Sequence, residues 1–140
     1  MKNNLQIANK LRSSGLRPTK QRVKIAEFLF EREKTFHFTV EELDKLINSK
    51  TNDEKISLAT FYNTVHAFKK AGHLKEILTN NNKIYFDTHT GPHYHFFDSN
   101  SNELIDIDSK AIKLKNIPDA PNGKSIKDID VVINIENDSQ

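Results

Sequence analysis

The sequence predicts an α+β fold, an N-terminal winged helix-turn-helix followed by a small α/β dimerisation domain. Three observations carry this. Amphipathic segments with capping signals fill the first half, ending in SLATFYNTVHAFKKAG at residues 57–72. Two strand-like runs joined by Thr79-Asn80-Asn81-Asn82 come directly after it, as a wing comes after a reading helix. Charge then changes sign: residues 1–75 hold 15 Lys+Arg against 8 Asp+Glu, and residues 76–140 hold 6 against 11. The expected domains are residues 1–88 and 89–140.

In chain order, Leu5 to Arg12 reads as a short helix stopped by Ser13-Ser14-Gly15. In GLRPTKQR, Pro18 blocks helix and Thr19 is placed to cap the next one, which runs to about Glu31. Arg17, Lys20, Arg22 and Lys24 crowd its entry, where cationic side chains and free backbone N–H groups together can grip a phosphate. Thr39-Val-Glu-Glu42 is a capping box opening a third helix, with Val40, Leu43, Leu46 and Ile47 on its apolar side.

Ser57 is suited to cap the fourth helix and Gly72 to close it in a left-handed conformation. Leu58, Phe61, Val65 and Phe68 are expected to share its buried face. The other face presents Ala59, Thr60, Asn63, His66, Ala67 and Lys70, with Tyr62 and Lys69 at the flanks. A helix anchored by aromatics and faced with short polar groups is what a DNA major groove admits.

HYHFFD and ELIDID, separated by Ser99-Asn100-Ser101-Asn102, are two further strands. SKAIKLKN is a short helical or irregular piece, and Asp130–Glu136 (DVVINIE) a last, β-branched strand. So small a sheet makes a weak core alone, so pairing with a second copy is expected, which would also present two reading helices to a two-fold symmetric site.

Composition excludes several classes. There is no cysteine, hence no disulfide, thiolate zinc site or cysteine nucleophile. No apolar run has the length of a membrane span, and the N-terminal stretch lacks the apolar core of a secretory signal, so a cytoplasmic location is expected. No nucleophile–base pair or phosphate loop is present. Two histidines and a carboxylate could form an oxygenase-type iron site, but a winged helix offers no deep pocket for it, so an enzyme is not expected.

GLRPTKQR, HFTVEEL, SLATFYNTVHAFKKAGHL, KIYFDT, the HYHFF run and ELIDI occur in the order seen in the ferric-uptake-regulator family. The chain resembles that family from Leu11 to Ile135, and most of all its iron-response-regulator branch, the haem-responsive regulators of alphaproteobacteria. The resemblance implies a homodimeric transcription factor on genes of iron and haem metabolism. Such a factor binds AT-rich double-stranded DNA when iron is scarce and loses affinity when haem is plentiful.

It also implies groove contacts from the helix holding Thr60, Tyr62 and Asn63, with Tyr62 against thymine methyls; Ser57, Ala59 and His66 are further DNA-binding candidates on the same segment. Arg17 goes to the backbone or minor groove, and Lys20 and Arg22 lie beside it. The family's metal ligands carry over onto His37, Asp87, His93 and His95 at the hinge between the halves. His93 and His95, two apart on a strand, point to one side and can share a ligand. The same two are the candidate axial ligands for haem, with His89 and Tyr94 as supplementary candidates.

The chain departs from the family in lacking the paired cysteines of its structural zinc site and the cysteine-proline haem motif, and in placing Tyr94 between the two histidines. Two signals therefore compete at one site: haem, or a divalent Fe, Mn or Zn ion. Histidine and carboxylate donors admit all three metals.

Overall fold

The structure is a computed structural model describing residues 2–50 and 54–139, with side chains from residue 5 onward. The chain forms two compact units, residues 1–78 with 83–90 and residues 79–82 with 91–140.

The first unit holds α1 (Lys2–Ser13), α2 (Lys20–Phe30), β1 (His37–Phe38), α3 (Val40–Ser49), α4 (Leu58–Lys70), β2 (Lys75–Leu78) and β3 (Ile84–Asp87). Each predicted cap forms. The Thr19 hydroxyl accepts from the Arg22 N–H, and Thr39 and Glu42 satisfy each other's backbone donors in a complete capping box. Ser57 accepts from the Thr60 N–H at 3.1 Å. Beyond α4, Gly72 takes φ +88°, a left-handed value that costs a glycine nothing, and the next N–H, of His73, returns to the Phe68 carbonyl.

The core of this unit joins Leu11 from α1, Ile25 and Leu29 from α2, Leu43 from α3, and Phe61, Val65 and Phe68 from α4. Phe38 stacks with both Phe36 and Phe86.

The structure adjusts the reading of α4 and of its approach. Leu58, expected on the buried face, is 42% exposed, and Thr64 is buried in its stead. At 100° per residue, Leu58 lies about 70° from the centre of the stripe formed by Phe61, Thr64, Val65 and Phe68, farther than Thr64 does. In the connection from Lys50 to Lys55, residues 51–53 lie outside the described residues. Ile56 is held from α3 by Asn48, whose side-chain amide donates to the Ile56 carbonyl at 2.9 Å and accepts from the Ile56 N–H at 3.0 Å. That two-way bridge fixes the residue immediately before the cap of α4.

Strands β1, β3 and β2 form a three-stranded antiparallel sheet in that order. The two-residue β1 is too short to leave a periodic trace in sequence. Its register sets His37 opposite Asp87. At the hairpin turn Asn82 adopts φ 64°.

The second unit holds β4 (His93–Asp98), β5 (Glu103–Asp108), a single 3-10 turn at Ser109–Ala111 and β6 (Val132–Ile135). The last strand is shorter than Asp130–Glu136, and the piece expected over SKAIKLKN is reduced to that one turn. β4 is central, antiparallel to β5 and parallel to β6. Register assigns His93, His95, Phe97, Leu104 and Asp106 to one face and Tyr94, Phe96, Ile105, Ile133 and Ile135 to the other. No helix among the described residues is long and apolar enough to cross a membrane.

Candidate metal centre and nucleic-acid surface

The groups expected to face DNA all lie in the first unit. Arg17 and Lys20 are exposed at the entry to α2. Arg22 is half-buried there, its guanidinium donating to the Arg17 carbonyl at 3.3 Å, so it also shapes the turn that presents Arg17. On α4, Ala59, Tyr62, Asn63 and His66 are exposed, Thr60 is half-buried, and the Ser57 and Thr60 hydroxyls share a hydrogen bond of 2.9 Å. Sequence reasoning missed one neighbour: the Tyr62 hydroxyl donates to Glu41 Oε2 of α3 at 2.7 Å. That bond, together with some loss of solvent and the carboxylate's charge, holds the Tyr62 phenol above its ordinary value.

Each unit also carries its own cluster of metal-binding donors. In the first, register across β1 and β3 brings His37 Nε2 within 3.2 Å of Asp87 Oδ2. Asp87 is fully buried, and its other oxygen accepts from the His89 N–H at 2.8 Å. His89 thus meets Asp87 through its backbone.

In the second unit, His93 and His95 are buried side by side on β4, ring centroids 4.4 Å apart. Asp106 faces them from β5: its Oδ1 is 3.3 Å from His95 Nε2 and 3.6 Å from His93 Nε2. His93 Nδ1 lies 2.8 Å from the Gly91 carbonyl, which can only accept, so Nδ1 is the donor there and Nε2 is the ring nitrogen turned toward Asp106. This is how a metal-ligating imidazole is oriented by its second nitrogen. Tyr94, considered as a phenolate ligand, lies on the opposite face of β4.

Donors that share an ion at bonds of about 2.1 Å stand about 3 to 3.5 Å apart; His37–Asp87 at 3.2 Å and His95–Asp106 at 3.3 Å fall in that range, and His93–Asp106 at 3.6 Å lies just beyond it. The donors are nitrogen and carboxylate oxygen only, which fits Fe²⁺, Mn²⁺ or Zn²⁺ and gives no thiolate. Asp106 went unnoticed in sequence, although a turn at 99–102 already implies a register that sets residue 106 opposite residue 95.

A winged helix followed by a strand unit bearing imidazole and carboxylate donors defines a class of metal-binding regulators. Residues 13–134 match the ferric uptake regulator family, and the chain belongs to it. It is 32% identical over 97 residues to the peroxide-responsive repressor PerR of Staphylococcus epidermidis, 69% of this chain and 62% of that protein. Over 97 residues it is 31% identical to the peroxide operon regulator of Bacillus subtilis, 64% of whose length is covered. The chain thus spans less than two thirds of these relatives.

Among solved structures it resembles the ferric uptake regulator of Pseudomonas aeruginosa with manganese, at TM-score 0.71 and 24% identity, covering 95% of this chain and 98% of that one. The Vibrio cholerae ferric uptake regulator is similar at TM-score 0.67 and 23% identity, covering 93% and 98%. These likenesses establish the α+β architecture.

Proposed function

We propose that this chain is a DNA-binding transcriptional regulator that acts as a homodimer and responds to a divalent metal ion. The observation that carries the reading is the donor geometry: His37 with Asp87, and His93 and His95 with Asp106, at or close to the spacing of one ion's coordination sphere. In this reading these five residues are the candidate metal ligands of the two units.

The ion would neutralise the carboxylates and crosslink the strands that carry its ligands. His37 and Asp87 stand on β1 and β3, whose Phe38 and Phe86 share a core with Phe61, Val65 and Phe68 of α4, so metal at that pair restricts the body that presents the reading helix. DNA that fits the restricted form shifts the population toward it. Arg17, Lys20 and Arg22 then serve the phosphates, while Ala59, Thr60, Tyr62, Asn63 and His66 serve the groove.

Dimerisation is supported by the apolar sheet face of Tyr94, Phe96, Ile105 and Ile133, with Ile105 at 44% and Ile133 at 39% exposure in the single chain. The family's description supports genes of iron handling as targets.

The donor set favours an ion over haem. His93 and His95 sit on one strand face with their Nε2 atoms turned to the same carboxylate oxygen, whereas two axial ligands must approach a haem from opposite sides. A haem response like that of the iron-response-regulator branch has no such support here. Peroxide as a signal is supported by the names of the two relatives.

The test is DNA binding by the purified chain, alone and with Fe²⁺, Mn²⁺, Zn²⁺ or haem, with and without hydrogen peroxide. Metal-dependent binding that His93→Ala with His95→Ala abolishes supports the reading. Binding indifferent to every metal, or governed by haem alone, overturns it.

A further inference from the structure

Glu41 is the second residue of α3, and its carboxylate reaches across to the reading helix. Oε2 accepts the Tyr62 hydroxyl at 2.7 Å, and both side chains are exposed, on the side of α4 that also presents Ala59, Asn63 and His66. Among the described residues Oε1 has no partner. An exposed carboxylate is out of place on a surface meant for phosphate, and an exposed hydrogen bond adds little to stability. Its position calls for another explanation.

We propose that Glu41 is a sequence-selecting residue of the reading surface, held in place by Tyr62. The proposal rests on the DNA-binding reading above.

The chemistry of the groove narrows the choice of base. An ionised carboxylate only accepts hydrogen bonds. Guanine offers two acceptors at the major-groove edge and thymine one acceptor with a methyl group, so neither can be bound. Adenine offers its N6 amine only beside the N7 acceptor, which repels a carboxylate and suits an amide instead, whereas cytosine offers its N4 amine, the partner suited to Glu. The Tyr62 hydroxyl occupies one carboxylate oxygen without neutralising it, which leaves the other for that amine.

The same charge repels phosphate wherever the helix docks without a cytosine in register, so it penalises nonspecific binding most. Tyr62 then has two uses: its ring presents apolar surface to the groove, and its hydroxyl aims Glu41.

The experiment selects duplexes from a randomised pool with the metal-loaded wild-type chain and with Glu41→Ala, Glu41→Gln and Tyr62→Phe. Enrichment of a motif by wild type is the control for the underlying reading. If wild type enriches nothing, DNA binding itself fails and this proposal with it.

With that control met, wild type should require a C·G pair at one position of each half-site. Glu41→Ala should lose that preference and bind random duplex several-fold tighter at low salt, the difference shrinking as salt rises. Glu41→Gln should shift the preference from cytosine to adenine, because an amide pairs with the adenine N6 and N7. Tyr62→Phe should blur the cytosine preference while keeping the weak binding to random DNA. A purely structural tie between α3 and α4 would not move the selected base. If Glu41→Ala and Glu41→Gln select the wild-type motif with unchanged affinity for random duplex, the proposal is wrong.

Discussion

Asp106 stands directly opposite His95 in the β4–β5 ladder, its Oδ1 3.3 Å from His95 Nε2. A hairpin register thus places a carboxylate against a buried imidazole, and the same oxygen lies 3.6 Å from His93 Nε2. Asp106→Ala should therefore weaken Mn²⁺ or Zn²⁺ binding by about tenfold or more, comparable to or beyond the loss of an orienting partner. Titration against a chelator of known affinity measures this. Unchanged affinity would exclude Asp106 from the site.

Asn48 closes both backbone groups of Ile56. Asn48→Ala leaves them without that partner, at a cost of about 1–3 kcal/mol if water does not replace it. Chemical denaturation should report the loss. DNA affinity should fall further than stability alone explains, because the start of the reading helix is no longer fixed.

His73 lies beside Phe30 and Phe68 with Nε2 2.9 Å from Ser14 Oγ, and burial, then the nearby Lys10 ammonium, lowers its pKa from the ordinary 6.5. The folded chain therefore takes up this proton less readily than the unfolded chain. The stabilising contribution is complete above pH 6.5 and is lost as pH falls through the depressed folded value. Thermal melts at falling pH should show a steeper decline for wild type than for His73→Gln. Parallel profiles would remove His73 from the pH response.

Lys20 is an exposed cation at the entry to α2. Lys20→Ala should weaken binding to all duplexes and reduce the slope of log affinity against log salt by about 0.9. An unchanged slope would mean that Lys20 meets no phosphate.

Ile133 and Ile105 share one face of the second sheet. Ile133→Asp should convert a dimer to monomer in sedimentation measurements while leaving the first unit's fold intact. Persistence of the dimer would place the interface elsewhere.

The fold was legible where local chemistry dictates it. Thr19, Thr39 and Ser57 each announce a helix start through a hydroxyl in reach of a free N–H, and each caps as read. The features that escaped the sequence depend on partners distant along the chain. β1 has two residues and exists because β3 pairs with it. Leu58 sits at the margin of an apolar stripe, where a few tens of degrees decide burial.

The donors were legible in part for the same reason. His93 and His95 declare a shared face by their spacing. Asp106 required the hairpin register to be counted through the turn, and Glu41 required the α3–α4 pairing, which no local pattern contains.

The parallel placement of β6 has a consequence for the order in which the protein is made. β4 and β5 are neighbours in sequence, but β6 joins β4 only after residues 109–131 have been traversed. Closing so long a connection is slow compared with forming local helices. The helices and hairpin of the first unit are all synthesised by residue 90 and can fold as they emerge, whereas the second sheet waits for its third strand. A newly made chain therefore passes through an interval in which the reading helix is formed and the sheet carrying His93 and His95 is not. During that interval its contact with DNA would be deaf to metal.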